Sequence, residues 1–382
     1  MRLSLITDGI TPYVIGGMQR HSFFIAKYFA ASGIHVDLYH YSESNKYDIN
    51  LLEFFTEEEK NNIESIVLEF PQHDLMPGHY LKSSYQYATM IYNELTTREK
   101  SDFIYAKGFT AWELLKKKSC GMILPPVGVN FHGFEMFQKP PSFRSRIEQM
   151  LLRPAVKYNV LNADYVFSYG GKITDIIKSL GVPMSKIIEA HSGVEKEMIR
   201  DKHNIKVEDK RKFVFVGRYE RRKGIKELIS AIKSINNQER CEFHFIGAIP
   251  LKQQITATNV FFYGKVTDKM KLTSILDVCD VLICPSHSEG MPNVILEGMA
   301  RGLAIIATDV GAVSLMVSSK NGWLINSPTT SAIVKAIREA ISCDNEKLLN
   351  CKINSLNKIT EKFNWKSISY NLINTIKQSI KN

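Results

Sequence analysis

The chain has 382 residues, of which 44% are hydrophobic and 23% charged, a balance typical of a folded globular protein and unlike that of disordered or fibrous chains. It contains no run of about 18 apolar residues, which argues against a membrane-spanning helix, and residues 1–7 lack the apolar core of a cleavable signal peptide. The length accommodates two domains.

The net charge of +10 is unevenly distributed along the chain. The first 200 residues hold 22 basic and 22 acidic side chains, so the remaining 27 basic and 17 acidic side chains carry the whole excess. A basic second half suits a polyanionic ligand, and both a nucleotide diphosphate and an anionic lipid fit that description. Nucleic acid fits less well, because the cations lack an RRM, KH or helix-turn-helix framework.

The six cysteines are scattered, without a C-x-x-C pair or a cysteine–histidine cluster at zinc spacing. We therefore expect free thiols in a reducing cytoplasm, and no metal site and no cofactor.

Short β-branched or aromatic runs alternate with longer amphipathic stretches along the chain. In the first half these runs predict six strands: Leu3–Thr7, His35–Tyr41, Phe103–Ala106, Val127–Phe131, Tyr165–Ser168 and Lys186–Ala190. The alternation restarts with five more strands: Phe213–Val216, Glu242–Ile246, Val260–Tyr263, Val281–Cys284 and Ala304–Thr308. Two such series predict an α/β protein with two Rossmann-like, doubly wound domains. The charged stretch 195–211 is either a surface loop or, since the strand pattern restarts after it, a linker between domains 1–196 and 197–362.

Ligands of such folds bind beyond the carboxyl ends of the strands, so the loops after the strands are the candidate sites. In the first loop, Gly16-Gly17 precedes a predicted helix, where backbone N–H groups can approach a phosphate; a plain tight turn is the alternative. The loop lacks the G-x-G-x-x-G pattern of nicotinamide-binding proteins. A second loop carries His132, which could handle a proton in a cleft or be a structural histidine.

Two loops in the second half carry charged residues directly after apolar strands. Arg218 and Lys223 come after Phe213–Val216 and could neutralise a diphosphate, although a solvated basic loop is the alternative. Pro292 fits the first position of a helix, which leaves the amides of Gly290, Met291 and Asn293 available to a ligand.

Two glutamates flank this turn. Glu289 lies on the loop, and Glu297 lies inside an otherwise apolar helix. Such a carboxylate faces a polar cleft, pairs with a cation or points to solvent.

With these residues the chain resembles the retaining GT-B glycosyltransferases of family 4, also called glycosyl transferases group 1. The resemblance covers residues 1 to about 375 and rests on Glu289-x7-Glu297, Gly217-Arg218-x4-Lys223-Gly224, Gly16-Gly17, His132-Gly133 and Tyr263-Gly264-Lys265-Val266. It implies two Rossmann-like domains facing across a cleft, with residues 1–196 on the acceptor side, 197–362 on the donor side and a helix in 363–382 returning to the N-terminal domain.

The resemblance also implies a role for each candidate residue. Glu289 is expected to contact the donor sugar and Glu297 the ribose, while Arg218 and Lys223 bind the diphosphate. Gly16-Gly17 closes over the phosphates, and His132 lies beside the sugar. The donor is a UDP- or GDP-linked hexose and the acceptor a glycan or lipid-linked sugar, as in bacterial surface polysaccharide synthesis. No D-x-D motif occurs, as expected if cations and a helix N-terminus replace a metal ion.

Three segments depart from the family pattern: Ala248-Ile249-Pro250, His191-Ser192-Gly193-Val194-Glu195 and Gly311-Ala312-Val313-Ser314-Leu315. Because of these departures, the resemblance does not identify the donor. Two other functions stay open, a nucleotide-sugar isomerase on the same fold and a non-catalytic nucleotide-sugar-binding subunit.

Residues 107–157 suggest a contact with the inner face of an anionic membrane. They carry nine basic and three acidic residues, interspersed with aromatic residues that include Phe109, Trp112, Phe134, Phe137 and Phe143. Family members with lipid-linked acceptors often carry such a surface, and solvated helix faces are the alternative.

Overall fold

Two parallel β-sheets organise the part of the chain that the computed structural model describes, which is residues 1–41, 50–72, 78–235 and 241–381. Each sheet lies in its own unit. The first unit comprises Met1–Phe137, Ile147–His191 and Trp365–Asn382, and the second comprises Gln138–Arg146 and Ser192–Asn364.

The first unit contains a seven-stranded sheet in the order β3-β2-β1-β4-β5-β6-β7. Its strands are β1 (Arg2–Ile6), β2 (His35–His40), β3 (Ile63–Val67), β4 (Phe103–Lys107), β5 (Val127–Asn130), β6 (Tyr165–Ser168) and β7 (Ile187–Glu189). The helices that connect them are α1 (Gly17–Ala30), α2 (Glu57–Lys60), α3 (His79–Thr96), α4 (Trp112–Ser119), α5 (Phe143–Asn162) and α6 (Lys172–Ser179). Helix α5 begins within 138–146, the segment assigned to the second unit.

The second unit contains a six-stranded sheet in the order β10-β9-β8-β11-β12-β13. Its strands are β8 (Arg211–Val216), β9 (Cys241–Ile246), β10 (Val260–Phe262), β11 (Val281–Cys284), β12 (Ala304–Thr308) and β13 (Gly322–Ile325). Its helices are α7 (Ile225–Ser234), α8 (Lys269–Asp277), α9 (Asn293–Ala300), α10 (Val313–Met316), α11 (Thr330–Ser342) and α12 (Asn345–Lys362).

Central strands of both sheets are apolar because helices cover both of their faces. In β1, Leu3 pairs with Val36 on one side and Phe103 on the other, and all three side chains are fully buried. In the second unit the equivalent central pair is β8 and β11, where Phe213 lies opposite Val281. The predicted α/β class with two doubly wound parallel sheets is therefore confirmed.

Helix α13 (Trp365–Lys381) belongs to the first unit although it comes after the second unit in the sequence. Trp365 is buried against α1, with its ring 5.2 Å from that of Phe24 and stacked 6.0 Å from that of Tyr28. Ile368, Leu372 and Ile376 continue the same apolar stripe into the core of this unit.

Two strands that the sequence did not predict lie at sheet edges. Among the strands that the structure describes, β3 pairs with β2 alone and β13 with β12 alone. Within the described residues, no helix is both long enough and apolar enough to cross a bilayer. All six cysteines are free thiols.

Candidate functional site

Lys223 and Glu289 meet in the second unit at the carboxyl ends of two neighbouring strands. Because β8 and β11 pair in parallel, the loops that leave them, 217–224 and 285–292, emerge side by side. The Lys223 ammonium lies 2.6 Å from Oε1 of Glu289. Residues 66 positions apart in the sequence thus form one charged site.

The Glu289 carboxylate is buried, 5% exposed, and is held by three donors. Besides Lys223, the Arg222 guanidinium lies 3.1 Å from Oε2, and the Ser286 hydroxyl donates to Oε1 over 2.7 Å. Burial raises the pKa of Glu289, but the charges of Lys223 and Arg222 outweigh it and hold that pKa below its ordinary value. Glu289 is therefore ionised at neutral pH, with two cations beside it.

The backbones of the two loops are locked together. The amide of His287 donates to the carbonyl of Arg222 over 2.8 Å, and the Arg222 guanidinium donates to the carbonyl of Ser288 over 3.1 Å. Gly224 permits this approach, since it has a φ of +66° and a Cβ atom there would overlap the carbonyl oxygen of Pro285.

Replacing Gly224 by alanine should separate the loops. We expect the free energy of opening of β8 and β11, measured by amide hydrogen exchange, to fall by about 2–4 kcal/mol, the sum of backbone strain and steric overlap. The control is Gly264→Ala, because Gly264 has nearly the same φ, +68°, but a methyl group there would meet nothing within 4 Å. Gly264→Ala should cost only the backbone strain, about 1 kcal/mol. Equal effects of the two substitutions would contradict the proposed role of Gly224.

Three further residues position Glu289 and the turn after it, and none of them was among the predicted site residues. The Gln138 amide donates to the carbonyl of Glu289 over 2.6 Å and accepts from its N–H over 3.4 Å. Gly311 has a φ of +56°, and a Cβ atom there would overlap the carbonyl oxygens of Glu289 and Gly290. The Ser192 hydroxyl donates to the Asn293 side chain over 2.8 Å.

The other predicted residues of this turn follow Glu289 in the sequence. Gly290 accepts a hydrogen bond from the amide of Ala312, and Met291 is buried with its sulfur 3.2 Å from the amide nitrogen of Ser192. Pro292 is the N-cap of α9, so the helix begins at Asn293, one residue later than predicted.

The remaining charged residues predicted for this unit differ in their surroundings. Glu297 lies in the middle turn of α9 and is buried, so the alternative that it points to solvent is wrong. Arg218 extends outward, with its side chain 74% exposed, and its Nε lies 2.9 Å from Glu220. Arg222, which was not among the predicted site residues, lies beside Glu289.

In the first unit, Gly16 and His132 each lie after a strand of the seven-stranded sheet. Gly16 is the N-cap of α1 and Gly17 its first residue, with Gly17 exposed. His132 has a φ of +55°, and its Nδ1 lies 2.6 Å from the Tyr169 hydroxyl. Its Nε2 is buried and meets no hydrogen-bond partner within the described residues. Burial and the nearby Lys107 keep the pKa of His132 well below its ordinary value, so the ring is neutral.

A buried polar cluster around His132 was not predicted. Lys107, at the end of β4, is fully buried with its Nζ 2.8 Å from Nδ1 of His21 and 3.3 Å from the Tyr105 hydroxyl. Burial lowers the pKa of Lys107 well below its ordinary value, against the opposing charge of Asp8. Burial also raises the pKa of Asp8 to about 6. The sequence contained one signal for this cluster. Asp8 follows β1 and Lys107 ends β4, and both are central strands of the sheet.

The basic and aromatic stretch 107–157 is only partly at the surface. Lys107 is fully buried, as is Phe134, and Phe109 is 5% exposed, because these residues fill the carboxyl edge of the sheet. The expectation that all of these cations and rings form one surface is therefore wrong, although Phe143 is exposed.

One group in the described residues has the spacing of metal ligands, namely His35, Asp37 and Glu64 on β2 and β3. The Arg2 guanidinium already pairs with Asp37 at 2.8 Å and with Glu64 at 3.2 Å. An arginine thus supplies the positive charge at this edge of the sheet.

Known proteins resemble the chain in both sequence and fold. Residues 210–343 match the family model described as "Glycosyl transferases group 1". The putative teichuronic acid biosynthesis glycosyltransferase TuaC of Bacillus subtilis is 32% identical over 191 residues, which are 48% of each chain. The chain thus spans about half the length of the first curated relatives it matches, 48% and 50%.

Solved structures match over almost the whole chain. Sucrose-phosphate synthase from Thermosynechococcus elongatus superposes with a TM-score of 0.81 at 18% identity, covering 100% of this chain and 99% of that one. HepE of Anabaena in complex with UDP gives a TM-score of 0.70 at 17% identity, covering 99% and 100%. Residues 210–343 are therefore similar to the glycosyl transferases group 1 family, within a chain that has the GT-B fold of these structures.

Proposed function

We propose that this chain is a glycosyltransferase that moves a hexose from a UDP- or GDP-sugar to a glycan or lipid-linked acceptor, with retention of configuration at the anomeric carbon. The observation that carries the proposal is the contact of Lys223 and Arg222 with the buried carboxylate of Glu289 at the carboxyl ends of β8 and β11. The family match over 210–343 includes both of the loops that carry these residues.

The charges of the site suit a nucleotide diphosphate as leaving group. About two negative charges develop on a departing diphosphate, and fixed cations and backbone amides aimed at them are usually the largest catalytic contribution. Lys223 and the exposed Arg218 provide these cations on one loop, and the N-terminus of α9 adds its amides on the other. These groups can act in place of a metal ion.

The carboxylates suit the two sugars of the donor. Glu289 can accept hydrogen bonds from hydroxyl groups of the transferred hexose, and Glu297 can accept them from the ribose, as the family resemblance implies. His132, neutral and with Nε2 unpartnered within the described residues, can exchange a hydrogen bond with the hexose. The leaving diphosphate itself accepts the proton of the attacking hydroxyl, so no further base is required.

The two halves of the chain divide the substrates between them in this proposal. Residues 197–362 bind the donor, while residues 1–196, with the C-terminal helix, receive the acceptor. TuaC is named for teichuronic acid biosynthesis. This supports a surface polysaccharide or its lipid-linked precursor as the acceptor, on the cytoplasmic side of the membrane.

Replacing Arg218 by alanine should weaken both diphosphate binding and turnover. Removing one charged donor costs about 1.5–3 kcal/mol, so we expect the Kd for the nucleoside diphosphate to rise about 10- to 100-fold in titration calorimetry. Arg338, exposed on α11, provides the control, and Arg338→Ala should leave that Kd unchanged. An unchanged Kd in Arg218→Ala would remove Arg218 from the diphosphate site.

Two measurements test the function itself. Thermal-shift screening against UDP, GDP and ADP identifies the base, since a ligand that binds only the folded state raises the melting temperature. Product analysis with the matching nucleotide sugar then separates the alternatives. A transferase releases the nucleoside diphosphate only when an acceptor is present, an isomerase converts the donor without release, and a non-catalytic subunit leaves the donor intact.

A further inference from the structure

A pocket of about 520 Å³ opens in the second unit beyond the carboxyl ends of β12 and β13, and we call it the β12–β13 pocket. Its lining comes from segments 139–141 and 326–330 and from single residues of α7, of β12 and of the loops after β11 and β12. Its volume lies within the range of about 300–1,000 Å³ that is typical of small-ligand sites. Neither Lys223 nor Glu289 is among its described lining residues, so it is separate from the charged site of the two loops.

A cluster of Arg221, Glu227 and His287 forms the polar wall of this pocket. The Glu227 carboxylate lies 2.5 Å from the Arg221 guanidinium and 3.3 Å from Nε2 of His287. Arg221 also donates to that Nε2 over 2.8 Å. Burial lowers the pKa of His287, so the ring is neutral at neutral pH. Because a guanidinium only donates, Nε2 is the acceptor and the single ring proton is on Nδ1.

Two groups of this cluster remain available to a ligand. No described residue accepts a hydrogen bond from Nδ1 of His287. The second oxygen of Glu227, Oε2, is buried and has no hydrogen-bond partner among the described residues. The polar wall therefore contains one donor and one acceptor that the folded chain does not use.

Thr308, the last residue of β12, adds a third polar group to the lining. It is 1% exposed, and its hydroxyl meets no hydrogen-bond partner in the part of the chain that the structure describes. A buried hydroxyl without a partner is unfavourable, and such groups in native proteins are usually satisfied by a bound molecule or by ordered water. An occupant of the β12–β13 pocket can supply the missing partner.

Apolar side chains form the remaining wall, namely Pro140, Pro141, Val310 and Pro328. A pyranose ring has the matching distribution of groups, with C–H bonds on its faces and hydroxyls around its edge. Each of these hydroxyls both donates and accepts. They therefore suit a wall that combines an imidazole donor, a carboxylate acceptor and a hydroxyl.

A phosphate or another anion fits this pocket less well. Lys139, which is exposed, and the start of α11 at Thr330 also line it, and both favour an anion. However, the Glu227 carboxylate lines the same pocket, and the Arg221 charge beside it is already paired with that carboxylate. An anion would thus meet an acceptor-only group, whereas a neutral ligand with many hydroxyls would not be repelled.

We propose that the β12–β13 pocket binds a neutral pyranose ring, as a saccharide site separate from that of the transferred hexose. The pocket adjoins the charged site at two places. His287 precedes Glu289 by two residues, and Pro140 follows by two residues Gln138, whose amide donates to the Glu289 carbonyl. Two residues of chain span at most about 7 Å, so the two sites are neighbours.

For the source of the ring, the inference rests on the proposed function. The ring is either a unit of the glycan acceptor beyond the one that reacts, or a free saccharide that binds beside the reaction site. Both sources present the same pyranose chemistry to the pocket.

Methyl NMR on the full chain tests for the site directly. Thr308, Thr329 and Thr330 line the pocket, so ¹³C labelling of threonine methyl groups places three reporters in it. The probes are the methyl glycosides of glucose, galactose and N-acetylglucosamine, each titrated separately. We expect at least one of them to give saturable shifts of these three signals. The signals of Thr256 and Thr258, in the loop before β10, should not change.

Replacing Thr308 by valine should raise the Kd of that glycoside about 3- to 10-fold, measured on the Thr329 and Thr330 signals, because one hydrogen bond is lost. The hydroxyl has no partner within the described chain, so the melting temperature should stay the same or rise. Thr258→Val is the matched control. It makes the same change at an exposed position of the second unit and should leave the Kd unchanged.

Replacing Glu227 by glutamine distinguishes a pyranose from an anion, because it removes a negative charge from the wall and leaves Arg221 without this ion pair. A pyranose should bind about 3- to 10-fold more weakly, since a neutral acceptor replaces a charged one. Inorganic phosphate should give no saturable shifts with the wild type. Glucose 1-phosphate should bind no more tightly than methyl glucoside.

Turnover measurements identify the source of the ring. If the ring belongs to the acceptor, Thr308→Val should raise the KM of acceptors with additional sugar units and leave that of a single-unit acceptor unchanged. If the ring is a free saccharide, the methyl glycoside should change kcat or KM with the single-unit acceptor, and Thr308→Val should raise the concentration required. The NMR titration needs neither turnover nor nucleotide. Absence of transfer would therefore leave the saccharide site in place, and absence of shifts would leave the proposed transfer in place.

Three results would overturn the proposal. The first is the absence of saturable Thr308, Thr329 and Thr330 shifts with all of the glycosides. The second is an equal Kd for the wild type and Thr308→Val. The third is saturable binding of inorganic phosphate that Glu227→Gln strengthens, because the pocket would then be an anion site.

Discussion

Replacing Glu289 by glutamine should reduce turnover by at least about 10²- to 10³-fold while leaving nucleoside diphosphate binding within a few-fold of the wild type. Glutamine keeps the shape of the side chain but lacks the charge that Lys223 and Arg222 contact. In the proposed function Glu289 acts on the sugar, and the diphosphate is bound by other groups. Removing its charge leaves the cations more positive, so diphosphate binding should be unchanged or slightly tighter.

The measurement is kcat/KM from product release, together with the Kd of the diphosphate from titration calorimetry. Glu339 on α11 is half-exposed and remote in the sequence from both loops, so Glu339→Gln is the matched control and should behave as the wild type. Near-normal turnover in Glu289→Gln, or in Glu289→Ala, would show that the carboxylate has another role. A large loss of diphosphate binding would instead show that the substitution disturbs the loop.

Replacing Lys223 by methionine should reduce turnover about 10²- to 10³-fold and, unlike the change at Glu289, weaken diphosphate binding as well. The same substitution should lower the free energy of unfolding of the second unit by about 2 kcal/mol near neutral pH. Lys223 and Glu289 are 17% and 7% exposed, so the carboxylate loses a partner in a largely dry site, although Arg222 and Ser286 remain.

The pH dependence of this loss has a definite sign. In the wild type the pKa of Glu289 is depressed, so its ion pairs stabilise the fold above the pKa of an unfolded glutamate and cease to do so as the pH falls through the folded value. Without Lys223, burial raises that pKa. The difference in the free energy of unfolding between variant and wild type should therefore be largest near neutral pH. It should shrink in acid, where Glu289 is protonated in both proteins.

Unfolding of the second unit can be followed through Trp323 of β13. The other two tryptophans, Trp112 and Trp365, belong to the first unit, so ¹⁹F NMR of protein labelled with 5-fluorotryptophan can monitor urea unfolding of the second unit alone. Lys335→Met, at an exposed position on α11, is the control for the unfolding measurement.

Lys223→Arg keeps the positive charge and should retain part of the diphosphate affinity that Lys223→Met loses. A stability difference that stays constant from neutral pH into acid would contradict the ion-pair explanation.

Strands buried on both faces were predictable from the sequence, whereas two of the four edge strands, β3 and β13, were not. β11 and β12 have unbroken apolar sequences, and their predicted bounds match the structure because helices cover both faces of the sheet there. β3 contains Glu64 and Ser65 in its middle, and its buried residues, Ile63 and Ile66, are not adjacent. The sequence of β3 therefore contains no continuous apolar run from which a strand could be predicted.

The candidate site was predictable where its residues come directly after a strand. Lys223 and Glu289 were identified from their position after apolar strands, and parallel pairing of β8 with β11 explains why they meet. Gln138 was not predictable, because it contacts Glu289 from 151 positions away and has no pattern around it. Lys107 was counted with surface cations, since a sequence does not show that His21 and Tyr105 surround it.

The position of α13 constrains the order in which the chain can fold on the ribosome. Strands and helices of the first unit emerge before those of the second, but the Trp365 side chain that fills the space between His21, Phe24 and Tyr28 emerges after both. The core of the first unit thus stays open throughout synthesis of the second. A nascent chain stopped before Trp365 exposes an aromatic cavity, a species suited to capture by chaperones.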